Sequence, residues 1–251
     1  MDEVRARARG FPCVNLLTAP WPDDPALPLL VVGAHYDSCP GTPGADDNAS
    51  AVAALLELAA WVGPRLPALG PCRARLQLVA YDLEEYGLVG STLHAQQLRK
   101  AGTAVRGMVS LEMLGYTDQR PGSQNLPRHL RGLYPDVGNF IGVCANEASV
   151  GLLQVLVGGL KGVPGLPVEF IAVPGNGAMI SEVRLSDHSS FWDEGFPALM
   201  ITDTSFFRNP HYHQRSDTPD TLDYPFMARI TQGVGTAVER LLLRDALPSP
   251  R

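Results

Sequence analysis

Four short and nearly continuous apolar runs constrain the chain most: LLVVGA at 29–34, LQLVAY at 76–81, MVSL at 108–111 and ALMI at 198–201. Each gives way to a turn and then to a helical pattern. Apolar strands that alternate with helices imply a sheet covered on both faces. The expected fold class is α/β, a mixed and mostly parallel central sheet with helices on both sides.

The helical segments show period-3.6 apolar stripes. They fall at 49–62, where Val52, Leu55, Leu56 and Ala59 share a face, and at 88–101, bearing Leu93, Gln97 and Leu98. Two more fall at Val150–Leu160 and at 226–243, the latter with Ile230, Val234, Ala237, Val238 and Leu241. Such stripes are core. Proline and glycine punctuate 40–44, 64–71, 121–127 and 164–177 without dividing regions of different composition, so one domain spanning 1–251 is expected. The polar stretch 117–134 is long for a connection inside one domain, and reads either as a functional rim or as surface padding.

Composition excludes some roles. A net charge of −6 without a dense Lys/Arg block does not suit a nucleic-acid surface, whose affinity depends on neutralising phosphates. Cys13, Cys39, Cys72 and Cys144 stand far apart with no CxxC pair, and free thiols are expected. The start MDEVR is not a secretory leader, and no apolar run approaches the ~20 residues of a spanning helix. The expectation is a cytoplasmic protein, or a secreted one if a leader has been removed, without a membrane partner; the sequence is silent on oligomeric state.

The residues able to hold metal are spaced along the chain: His35, Asp37, the pair Asp46-Asp47, the pair Glu84-Glu85, Glu112, His211 and His213. His35, Glu84, Glu85 and Glu112 directly follow or end apolar runs, and His213 lies in the connection after the fourth. In open α/β sheets, ligands bind beyond the carboxyl ends of strands. Residues distant in sequence are therefore expected to share one crevice. Two imidazoles with three or more carboxylates suit a pair of divalent cations, the equipment for hydrolysing an unreactive amide.

The segments GAHYDS (33–38), GADDNAS (44–50), YDLEEYGLVGS (81–91), SLEMLGY (110–116), SDHSSFW (186–192) and HYHQRSDTPDTLD (211–223) occur in the order of the M28 zinc exopeptidases, which this chain resembles. The resemblance implies two zinc ions and a peptide substrate. It makes His35, Asp47, Glu85, Glu112 and His213 the metal ligands, with Asp47 shared, Asp37 a supporting carboxylate and Glu84 the general base. It also implies a cis peptide between Asp47 and Asn48. One carboxylate of the Glu84-Glu85 pair must stay off the metal to carry a proton, which agrees with that division.

His211 is then a rim residue, and His94 and His129 structural or solvated. His188 either contacts substrate or is a satisfied structural histidine. Cys39, four residues after His35, has no slot in the family pattern. The resemblance favours an aminopeptidase. A carboxypeptidase or dipeptidase would need a cation for a terminal carboxylate, for which Arg184, Arg208 and Arg215 are candidates. A glutaminyl cyclase-like one-zinc acyltransferase shares the fold and several ligands, and a peptidase-derived binding protein would lack ligands or base.

Overall fold

The four apolar runs lie side by side. The computed structural model describes residues 2–8, 11–127 and 130–248, so His129 falls outside the described residues. Two strands precede the first run, β1 (Asp2–Ala8) and β2 (Phe11–Leu17). The runs themselves are β3 (Leu29–His35), β4 (Arg75–Tyr81), β5 (Val105–Glu112) and β8 (Ala198–Thr202), with β6 (Ile141–Asn146) and β7 (Val168–Val173) between the last two in sequence. The eight form one sheet in the order β1-β2-β4-β3-β5-β8-β6-β7. Its centre, β4-β3-β5-β8, is parallel, and every residue of β3 is buried, as a strand covered on both faces must be.

Of the flanking strands, β1 and β2 lack a continuous apolar run, whereas β6 (IGVCAN) and β7 (VEFIAV) carry short apolar stretches that the sequence reading did not single out. β1 reads DEVRARA and pairs antiparallel with β2, which in turn pairs antiparallel with β4. At the other edge β6 runs antiparallel to β8 and parallel to β7. β7 buries both its ends but leaves Phe170 exposed, the mixed pattern of an edge strand.

Helices α1 (Ala51–Val62), α3 (Val150–Leu160) and α5 (Tyr224–Leu243) pack on one face, α5 touching both others. Leu30, Val32, Val109 and Ile201 from the sheet meet Leu58, Leu156, Ile230 and Val234 there. On the other face α2 (Val89–Lys100) and α4 (His188–Asp193) enclose Val31, Val79, Tyr81, Met108, Phe191 and Trp192.

Two expected stripes are corrected. In α1 the buried line runs through Ala51, Ala54, Leu55, Leu58 and Val62, whereas Leu56 is 61% exposed and Ala59 faces outward. With nearly every residue of this helix apolar, periodicity alone does not select a face. In α2 the buried residues are Gly90, Ser91, His94 and Ala95, and Gln97 is exposed. His94 sits in the core, its Nδ1 2.9 Å from Tyr81 Oη. The length reading also needs correction, because the helical stretch Ala45–Ala68, 24 residues, is long and apolar enough to span a membrane by composition. Its non-helical Asp47 and Asn48, its Pro67 and the packing of α1 on α5 and β3 make it a core element here.

The geometry of α1 predicts that Leu58→Ala lowers stability by about 2–5 kcal/mol, while Leu56→Ala stays within about 0.5 kcal/mol of wild type. Urea unfolding of the two variants checks this; equal losses would contradict the assigned face.

Candidate metal centre

Three neighbouring parallel strands release the chain at the same edge. His35 ends β3 opposite Tyr81 of β4, and Glu112 ends β5 opposite Thr202 of β8. A third donor arrives from the turn Ala45–Ser50, which enters α1. Gly44 opens that turn with φ +67°, and a Cβ there would stand 2.7 Å from the Asp47 carbonyl oxygen, so only glycine fits. The peptide between Asp47 and Asn48 is cis.

The adjacent acids of this turn point different ways. Asp46 Oδ1 accepts from Gly115 N at 2.8 Å and its Oδ2 from Asn209 Nδ2 at 2.7 Å, so it is tied into scaffold. The Asp47 carboxylate instead faces two imidazoles, with Oδ1 3.3 Å from His35 Nε2 and Oδ2 3.1 Å from His213 Nε2. Glu112 Oε2 lies 3.6 Å from His35 Nε2, and Glu85 Oε2 3.2 Å from His213 Nε2. Glu84 joins the His35 side, its carboxylate within 4.8 Å of the His35 and Glu112 donor atoms. All five expected donors converge, in two groups that share Asp47.

Two donors bound to one tetrahedral zinc at about 2.0–2.2 Å lie about 3.3–3.6 Å apart. The four separations above, 3.1 to 3.6 Å, approach the edges of two such tetrahedra with Asp47 common to both. His35 Nε2 and Glu85 Oε1 are buried yet make no hydrogen bond, an arrangement that costs free energy unless another group satisfies them. The donor set therefore fits two divalent cations.

Charge tells the same story. Burial raises the Glu84 carboxyl well above its usual range, and Glu112, Asp187 and Asp47 add to the effect against the opposing His35. Glu85 is pushed up to about 7 by burial and then by Asp47. Asp47 is buried too, but hydrogen bonding to His213 and His35 outweighs burial and lowers its pKa. It is the anionic centre of the cluster.

Asp37 does more than support His35. Its backbone oxygen lies 3.0 Å from His35 Nδ1, with a carboxylate oxygen at 3.5 Å. The carboxylate accepts from Glu84 N at 3.0 Å and Glu85 N at 3.2 Å, fixing the turn that aims both glutamates. Asp217 acts in the same way on the other wall, accepting from Asp46 N at 2.8 Å and Asp47 N at 3.2 Å. Asn48 bridges Leu111 O and Met113 N, and Ser186 donates to Glu112 at 2.8 Å. The sequence reading assigned no role to Asp217, Asn48 or Ser186, although all lie inside its motifs; their partners are 63 or more positions away. Asp187 and Asp203 are buried behind the cluster, Asp187 pushed up to about 7 by burial.

The remaining candidates separate cleanly. His211 turns to Ser216, 2.9 Å from Nδ1, and meets the Tyr116 ring edge-on, while Tyr212 stacks on His213 with centroids 3.7 Å apart. The expectation of a substrate contact from His188 is corrected. It is fully buried, its Nε2 donates to Val183 O at 2.8 Å and its ring meets Trp192 edge-on, so it stands behind the cavity wall. Cys39 comes within the cluster, its Sγ within 4.8 Å of donor atoms on Glu85 and His213. All four cysteines are free.

Beside the donors opens a cavity of about 500 Å³. Leu126, Phe140, Val143, Ile180, Met200 and Phe206 are among its apolar walls, and Asp47, Glu84, Glu85, Glu112 and His213 form its polar end. Leu126, Pro127, Leu130 and Tyr134 come from the 117–134 stretch, which is thus a cavity rim. Gln124 anchors it through Thr204 and Arg208.

Fold and site together define a cation-binding α/β protein with an apolar cleft at the carboxyl edge of its sheet. The sequence matches Peptidase family M28 over residues 16–151 and 173–238, and the chain belongs to that family. It is 40% identical to the uncharacterized protein YfbL of Escherichia coli, over 90% of this chain and 71% of that one. It is 27% identical to leucine aminopeptidase 1 of Arthroderma otae, covering 79% of this chain but 50% of that protein. The LapA aminopeptidase of Legionella pneumophila shares the fold with a TM-score of 0.70 at 23% identity, over 97% of this chain and 60% of that one. The chain thus spans about half to three fifths of the length of these two aminopeptidases.

Burial holds His188 down at about 4, below the ~6.5 of an unfolded histidine. The unfolded chain therefore takes up a proton first as pH falls, and the stability contributed by neutral His188 is lost between about pH 6.5 and 4. His188→Gln keeps a donor for Val183 but cannot titrate. The stability advantage of wild type over this variant should shrink in that window by at most about 1.4 kcal/mol per pH unit; a pH-independent difference in urea unfolding would show that His188 is not held neutral.

Proposed function

We propose that the chain is a metal-dependent exopeptidase, a two-zinc aminopeptidase that removes apolar residues from peptide N-termini. The observation that carries this reading is the sharing of Asp47 between two donor groups at metal-ligand spacing, His35 with Glu112 and His213 with Glu85. A one-zinc acyltransferase needs only one of these groups. Zinc bound there supplies Lewis acidity toward a scissile carbonyl and lowers the pKa of water.

The chain's own residues do the rest. Glu84, held by Asp37 through its backbone N–H and raised in pKa by burial, takes a proton from the attacking water and delivers it to the departing nitrogen. The apolar cleft binds the side chain next to the scissile bond and excludes water from it. Glu84 lines the polar end of the cleft outside the two donor pairs that share Asp47, where a carboxylate not spent on a cation accepts a hydrogen bond from a free amine.

That polarity favours the amino end over the carboxyl end. Arg184 is committed to Asp193 at 2.8 Å and to Asn176 O. Arg208 is buried and bound to Gln124, Thr204 and Phe140 O, and Arg215 is exposed and lies outside the cleft lining. The leucine aminopeptidase among the relatives agrees with this direction.

Glu84→Gln should lower turnover of aminoacyl anilides by about 10²–10⁴-fold with zinc content near two per chain. Asp47→Ala should lose zinc, measured by elemental analysis after dialysis. A Glu84→Gln variant of near-normal rate removes Glu84 as proton carrier, and an Asp47→Ala variant that keeps both ions removes Asp47 as the shared ligand. Peptides with blocked amino termini should not be cleaved.

A further inference from the structure

We propose that the thiol of Cys39 is a further protein donor for the cation held by Asp47, Glu85 and His213, which makes that half of the centre a mixed sulfur, nitrogen and oxygen site selective for thiophilic divalent metals. The inference rests on the two-cation reading above. It adds a ligand for which the M28 pattern has no slot.

Position carries the argument. Cys39 Sγ, a Glu85 carboxylate oxygen and a His213 ring nitrogen lie within 4.8 Å of one another, and His213 Nε2 stands 3.1 Å from Asp47 Oδ2 and 3.2 Å from Glu85 Oε2. The Cys39 backbone is fixed, because its carbonyl accepts from both Thr42 N at 3.1 Å and Thr42 Oγ1 at 2.8 Å. With the backbone held, only the χ1 rotamer of Cys39 decides where the sulfur stands. The Glu85 side chain is only 7% exposed, and its Oε1 is buried without a hydrogen bond. A neutral thiol is a weak donor and does little for such an atom; a cation bound by both satisfies it.

The chemistry selects the metal. Thiolate prefers zinc, cadmium and cobalt to magnesium, calcium or manganese, which favour oxygen. His35, Glu84 and Glu112 on the other side offer no sulfur, so the two positions differ in softness. On binding, the Cys39 S–H bond breaks, its proton passes to solvent water and a sulfur–metal bond forms, with no change in oxidation state.

The test uses the full chain loaded with Co²⁺, reading cobalt content together with the near-ultraviolet sulfur-to-cobalt charge-transfer absorption. Wild type should show the band, and Cys39→Ser should lose it completely while retaining cobalt. Cys39 is half-buried at the surface of the turn, so serine is accommodated there. Cobalt retained without the band, or a band that survives Cys39→Ser, overturns the proposal and leaves the two-cation reading standing. A wild type that retains no cobalt overturns both. Maleimide labelling mapped by mass spectrometry gives a second readout: saturating Zn²⁺ should slow modification of Cys39 at least about tenfold and leave Cys72 unchanged, and equal rates at Cys39 with and without Zn²⁺ overturn the assignment.

Discussion

Mutual repulsion among buried carboxylates is the constraint around which this structure is arranged. Asp47, Glu84, Glu85, Glu112 and Asp187 lie close enough to perturb one another, with no lysine or arginine among the donors that face His35 and His213. Removing such charges from water costs several kcal/mol each unless they are paired. The scaffold gives two backbone N–H groups each to the supporting acids Asp37 and Asp217, and none of these four reaches the Asp47, Glu84, Glu85 or Glu112 carboxylates. What those bonds leave over is negative charge pointing inward, which divalent cations neutralise and uncharged ligands do not.

The sheet makes this concentration of charge possible. Parallel strands β3, β4 and β5 end together, so side chains 77 positions apart, His35 and Glu112, meet without any long connection having to fold into the site. Rigid strand ends also explain why the donors hold metal-like spacing. The parts that arrive from irregular backbone are each pinned: Glu84 and Glu85 by Asp37, Asp47 by Asp217 behind a glycine-only turn, and His213, at a positive φ of 56°, by the stacked ring of Tyr212.

Legibility from sequence followed the same division. Central strands were readable because burial on both faces demands continuous apolar runs; β1 and β2 carry charge, proline or asparagine and were not, while the apolar stretches of β6 and β7 are short and were passed over. The converging donors were readable because their chemistry is rare at strand exits. The faces of α1 and α2 were misread for opposite reasons, α1 being apolar all round and α2 burying Ser91 and His94 through hydrogen bonds that no hydrophobic period reports. His188 looked like a site residue by its place in the SDHSSFW segment, yet it is buried and its Nε2 is spent on Val183.

The pair Asp46-Asp47 shows how finely chemistry and scaffold are interleaved. Two identical side chains on consecutive residues differ in everything that matters: one accepts from Gly115 and Asn209 and holds the turn together, the other faces two imidazoles that outweigh its burial and lower its pKa. Neither composition nor periodicity separates them. The separation comes from the path of the backbone between Gly44 and Ser50, whose conformation turns Asp47 toward the strand ends and Asp46 toward the loops after β5 and β8. Had the chain entered α1 one residue earlier, the acid facing His35 and His213 would be the one whose bonds anchor Gly115, and the site could keep its ligand only by giving up its support.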